Sequence, residues 1–209
     1  ATPATLATLA DHSWLSLQGG QGNVARYALH ELLRHFAADK LAAMPEQEAA
    51  ARKCHADYYL ELAASRVPHL YDPQSEASIR ILRPERANIR AAWQWAVDRQ
   101  QLDALGAAVE GIGYVFMKSG WQAERFTLFQ EALQALAPRL ENGSSPPPVL
   151  TRTLSQLQLF QATDLLARGE RDAAERAAKT AVALAARHGH LCREAEARTF
   201  LGWIWQLQA

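Results

Sequence analysis

Apolar residues recur at helical spacing along most of this chain. From Leu29 onward, Leu32, Leu33, Phe36, Ala37 and Leu41 follow the i, i+3, i+4, i+7 rule, which predicts a helix with one core-facing stripe that ends near Pro45. A second helix is predicted from Glu46. It carries Ala50, Cys54, Tyr58 and Leu62 at four-residue steps, until the residue before Pro68 is pushed out of helical geometry. A third opens at Pro84, where a missing N–H costs nothing in the first turn, and repeats Ile89, Ala92, Trp93, Ala96 and Val97 as a core face. Trp95 falls off that stripe and is expected against a neighbouring helix.

The beginning of the chain reads differently. Ser13 to Gln18 and Val24 to His30 alternate partially and are separated by Gly19-Gly20-Gln21-Gly22-Asn23, whose glycines can take the positive φ of a hairpin loop. The same glycines make a poor phosphate cradle, because no Lys-Ser/Thr pair follows and no apolar strand feeds them into a helix. A two-stranded wing is therefore predicted. Further on, Glu141-Asn142-Gly143-Ser144-Ser145-Pro146-Pro147-Pro148 is a break that no helix can cross.

Either side of that break the same small residues recur. Gly113 is followed by Gly120 and Ala132, and Ala162 by Gly169 and Ala181, at the same intervals of 7 and 12 residues. Small residues there allow helices of a hairpin to approach closely, with the middle glycine ending one helix. A third copy opens at Leu191 with Gly202 in the first small-residue place, giving spacings of 49 (162 − 113) and 40 (202 − 162) residues. The half copy is expected to belong to a longer protein.

These registers resemble tetratricopeptide repeats, in the long variety that forms the sensor arm of bacterial STAND-class signal-transduction ATPases. Upstream, Arg26-Tyr27-Ala28-Leu29-His30-Glu31-Leu32-Leu33-Arg34-His35-Phe36-Ala37 is similar to the end of the winged-helix domain of NB-ARC-type members, where a Met-His-Asp triplet precedes a Leu-Leu-Arg helix. Here the triplet is Leu29-His30-Glu31. Cys54 to Leu60 and Glu85 to Ala92 are similar to the connecting helices of such regulators. The resemblance implies an all-α chain, a right-handed superhelix of helical hairpins preceded by a partial winged-helix unit with a small β-hairpin. It implies the end of the winged helix over 1–43, a helical connector over 44–100 and repeats over 101–209. It also implies that His30 contacts the phosphate of ADP in an intact parent, with ATP/ADP and Mg bound by an upstream nucleotide-binding domain and no cofactor held by this segment alone.

Composition narrows the alternatives. The 209 residues are 49% hydrophobic and 21% charged, an ordinary globular balance. Twenty-two basic residues against 22 acidic ones leave no bulk field to draw the chain onto nucleic acid or an anionic membrane. No apolar run reaches the length of a membrane span, and Ala1-Thr2-Pro3 carries no leader pattern, so a cytoplasmic protein is expected. Cys54 and Cys192, far apart and without a CxxC pairing, suggest neither a disulfide framework nor a zinc knuckle; Cys54 is expected in the core.

Two histidine groupings invite metal chemistry and fail on spacing. His30-Glu31 and His35 read H-E-x-x-x-H, which turns the two rings roughly 500° apart instead of the roughly 400° that aligns zinc ligands on a helix. His188-Gly189-His190 with Cys192 is better explained by a glycine ending a helix. No nucleophile, base and orienter set can be assembled, so an enzyme is not expected. Counting outward from Gly113, Ala162 and Gly202 instead places Glu110, Tyr114 and Lys118, then Leu159 and Thr163, then Trp203, on a concave face. There they could clamp a protein segment or small-molecule effector. The expectation is a non-catalytic sensor segment of a signal-transduction ATPase, read out as transcriptional regulation, with a plain protein-docking scaffold as the alternative.

Overall fold

A computed structural model describes residues 2–18, 26–140 and 146–207. It is mostly helical, with one small antiparallel sheet, and divides into two units, 1–51 and 52–209.

In the first unit, α1 (Pro3–Asp11) starts on Thr2, whose hydroxyl accepts from the Thr5 amide at 3.2 Å. Strands β1 (Leu15–Gln18) and β2 (Arg26–Leu29) pair with Leu15 opposite Leu29 and Leu17 opposite Tyr27. They are shorter than the expected runs, and the glycine-rich loop proposed between them lies outside the described residues. His30 follows β2 and caps α2 (Glu31–Ala42), its Nδ1 accepting from the Leu32 amide at 3.3 Å. Neither α1 nor α2 buries a residue. The stripe read on α2 is present as a pattern, yet Leu32 is 73% and Phe36 53% exposed, so this unit supplies no core for it.

The division between units falls within α3 (Pro45–Ala64). The buried face of α3 is Ala56, Leu60 and Ala63, whereas Cys54 and Tyr58, assigned to the core from spacing, are exposed. The small residues win because α3 and α6 (Leu102–Lys118) approach so closely that a Cβ on Gly111 would stand 2.4 Å from the Ala63 carbonyl oxygen. After α4 (Ser75–Leu82), α5 (Arg86–Asp98) buries Ile89, Ala92, Trp93, Ala96 and Val97, the face its spacing predicts, and Trp95 packs partly buried beside it.

The remaining helices are α7 (Gln122–Leu136), α8 (Pro148–Ala167), α9 (Arg171–Arg187) and α10 (Leu191–Gln206). Four of the turns joining consecutive helices share one geometry. Residue 100, 120, 169 or 189 adopts a positive φ (52°, 79°, 81°, 67°), and the following amide reaches back five residues to a carbonyl: Gln101 to Ala96, Trp121 to Phe116, Glu170 to Leu165 and His190 to Ala185, at 2.9–3.0 Å. This is the Schellman closure, in which glycine avoids the Cβ penalty of the left-handed region. Gln100 takes the same conformation without being glycine. The fifth junction, between α7 and α8, passes through 141–145, outside the described residues, so the predicted break is seen only as Pro148 opening α8.

Helices α6 and α8 pack both on their chain neighbours and on the next but one: α6 meets α4, α5, α7 and α8, and α8 meets α6, α7, α9 and α10. Trp93 of α5 shares a core with Leu105, Ile112 and Phe116 of α6 and Phe129 of α7. Gly113 does have a close neighbour, but it is α8 and not its hairpin partner α7: a Cβ there would lie 2.3 Å from the Phe160 ring. Arg125 of α7, 1% exposed, stacks 5.0 Å from that ring, donates through Nη1 to the Gly113 carbonyl at 3.0 Å and through Nε and Nη2 to Asp164 of α8 at 3.1 and 2.5 Å.

Two stability predictions follow from these contacts. Asp164→Ala, which strands a buried guanidinium, is expected to cost about 3–5 kcal/mol in denaturant unfolding, and the double change Arg125→Met with Asp164→Leu markedly less. Gly113→Ala should destabilise through Phe160, whereas Gly202→Ala at the matching place in α10, where an added Cβ meets nothing within 4 Å, should stabilise by roughly 0.5–1 kcal/mol.

Candidate functional site

The four-residue spacing of Glu110, Tyr114 and Lys118 sets all three on one face of α6. Lys118 Nζ lies 5.5 Å from the centre of the Tyr114 ring, and Tyr71, from the segment before α4, meets Tyr114 edge-on at 5.4 Å. Tyr114 is 7% exposed, so the anticipated aromatic clamp is a packed pair with Tyr71 and not an open jaw. Glu110 is ion-paired with Arg193 of α10, which also donates to Glu196 at 2.8 Å.

This cluster is electrostatically coupled. Burial opposes the charge on Arg193, and its bonds to Glu110 and Glu196 overcome that, holding the guanidinium above its ordinary pKa. Burial and the carboxylates of Glu110 and Glu196 push the Tyr71 phenol up to about 12, against the pull of Arg193. Because the Tyr71 side chain is 75% exposed, water screens part of that shift, and the direct partner Glu110 is its most specific cause. Next along the chain, the hydrogen bond from His69 at 3.0 Å holds the Asp72 carboxyl below the usual range, and Asp72 accepts from the Gln74 amide as α4 begins.

Beside Glu110 the structure opens a pocket of about 190 Å³ between α6, α8 and α10. Gly106 and Ala107 of α6, Arg152, Thr153 and Gln156 of α8, Arg193 of α10 and Val67 line it with Glu110. A Cβ on Gly106 would stand 2.8 Å from Thr153 Oγ1, so the glycine sets how near α8 approaches on this side.

The other residues assigned to the concave face do not join this pocket. Leu159 is buried against Ala181 and Ala197 and is therefore core, a correction to its place on an open surface. Thr163 is half-buried and turns its hydroxyl back onto the Leu159 carbonyl at 2.9 Å. Trp203 is 49% exposed on α10 beside Phe200. Counting outward from Ala162 and Gly202 stopped about one to three turns short of Gln156, Arg152 and Arg193; continuing the register toward the N-termini of α8 and α10 reaches them. Tyr71 had no local signal, since its partner lies on a helix far away in sequence.

Neither histidine grouping forms a metal site: among the described residues no group of three or more His, Cys, Asp or Glu is placed to hold an ion. His190 Nε2 instead meets the Pro148 carbonyl at 3.0 Å, tying the start of α10 to the start of α8. Among the described residues no helix is long and apolar enough to cross a membrane. Comparison with known protein families, curated proteins and solved structures finds no match.

Glu110→Gln is expected to lower the Tyr71 pKa, moving its deprotonation to lower pH in a tyrosinate absorbance titration, with Tyr71→Phe identifying the transition.

Proposed function

We propose that this chain is a non-catalytic sensor segment of a larger signal-transduction ATPase, in which stacked helical hairpins of tetratricopeptide type bind an effector and the first unit completes a winged-helix domain. The observation that supports it most is the recurring closure at Gly120, Gly169 and Gly189 together with helices that pack on their next-but-one neighbours, the arrangement by which hairpin repeats build a superhelix. The first unit agrees with this reading. It joins a two-stranded wing to a helix, and its apolar Leu32 and Phe36 offer the surface on which the rest of such a domain would pack.

His30 fits the phosphate-contacting role. Its Nδ1 accepts from the Leu32 amide, so a neutral ring carries its proton on Nε2, and in this exposed side chain that N–H would serve as a donor for a phosphate oxygen. Nucleotide and Mg would be held by an upstream domain, and ADP would stabilise the resting state. Effector binding would favour an open state by differential contacts with the two. Output through transcription and a cytoplasmic location belong to the same proposal. Direct nucleic-acid binding does not, given the balanced charge.

The native protein that contains this chain is expected to co-purify with ADP, and His30→Ala to lower nucleotide occupancy several-fold with folding preserved by circular dichroism. Protein free of nucleotide, or occupancy indifferent to His30, would leave only a helical docking scaffold.

A further inference from the structure

One side chain in the α6–α8–α10 pocket is unexplained by folding. Gln156 is 4% exposed, lines the pocket, and its Oε1 has no hydrogen-bond partner. A buried acceptor left unmet costs free energy, and an apolar residue of the same size would fit an all-helical core better. Four residues away on the same helix face, Arg152 is exposed and makes no ion pair or hydrogen bond among the described residues. Its guanidinium reaches over the pocket floor, with Nη2 4.0 Å from where a Gly106 Cβ would be.

The charges around the cavity define what would complete it. Arg193 is already matched by Glu110 and Glu196, so among the described residues the one lining cation without a partner is Arg152. A lining that offers one unpaired cation, Arg152, beside a carboxylate, Glu110, suits a ligand carrying one charge of each sign; a polyphosphate would meet Glu110 and a polyamine would meet Arg152. The cavity, about 190 Å³, lies below the roughly 300–1,000 Å³ of sites for larger ligands. Val67, Ala107 and Val109 add an apolar flank.

We propose that this pocket binds a free α-amino acid with a short apolar side chain. Arg152 takes its carboxylate, Gln156 Oε1 and the Glu110 carboxylate accept from its ammonium group, and Val67, Ala107 and Val109 receive its side chain. The inference rests on reading the α6–α8–α10 face as the effector-binding one, and it names the class of effector.

Titration calorimetry of the 209-residue chain with the individual proteinogenic amino acids, their α-hydroxy acids and their carboxamides tests it. At least one small apolar amino acid should bind saturably, and its hydroxy acid and carboxamide more weakly. Arg152→Gln should weaken that binding by about ten- to a hundredfold, the range of a hydrogen bond to a charged group. Gln156→Leu should abolish it while leaving the thermal midpoint unchanged or raised, which a merely structural glutamine would not do. The inference is overturned if no amino acid binds, if hydroxy acid or carboxamide binds as tightly, or if Arg152→Gln binds like the parent chain. The readout needs no nucleotide, so its failure leaves the ATPase reading open to its own ADP test, and binding here would survive a protein found free of ADP.

Discussion

The packing of the second unit turns on one buried guanidinium. Arg125 leaves water completely, and it can do so only because each face of its fork is met: Asp164 by two bonds, the Gly113 carbonyl by a third, and the Phe160 ring alongside. Those partners belong to α6 and α8, so a residue of α7 fixes how these three helices sit on one another. The same ring that stacks on Arg125 occupies the space where Gly113 lacks a side chain. Shape and charge thus specify a single register, which apolar contacts among alanines and leucines would leave free to slide.

Further out, the same helices use charge differently. Glu110, Arg193, Glu196 and Tyr71 form a network that joins α6 to α10, and two of its members, Glu110 and Arg193, line a cavity. A chain with no net charge therefore still carries strong local fields, concentrated where helices of successive hairpins converge. Gln156 and Arg152 stand apart from that network, the one a buried acceptor without a partner among the described residues and the other an exposed cation.

Much of this was legible in the sequence. The face of α5 is the one its spacing predicts, because Ile89, Ala92, Trp93, Ala96 and Val97 have no competing apolar stripe. Gly120 and Gly169 mark helix ends, as punctuation by glycine implies, and Gly189 adds a third. On α3 the reading chose the wrong face: spacing alone favoured Cys54 and Tyr58, while close approach to Gly111 favoured Ala56 and Ala63, and that partner is invisible locally. For the same reason Glu110 was found without Arg193, and Leu159 was placed on a surface that α9 and α10 cover. Periodicity reports that a face is buried; it does not report by what.

The interlock of Phe160 with the hollow at Gly113 bears on how the second unit yields to force. Stacked hairpins joined by smooth contacts extend gradually, like a spring peeled one coil at a time. A ring seated in a neighbouring backbone, with a three-way ionic clasp beside it, has to withdraw as a piece. Tension applied along the chain would therefore meet a rigid block spanning α6 to α8, with compliance displaced to the helices on either side.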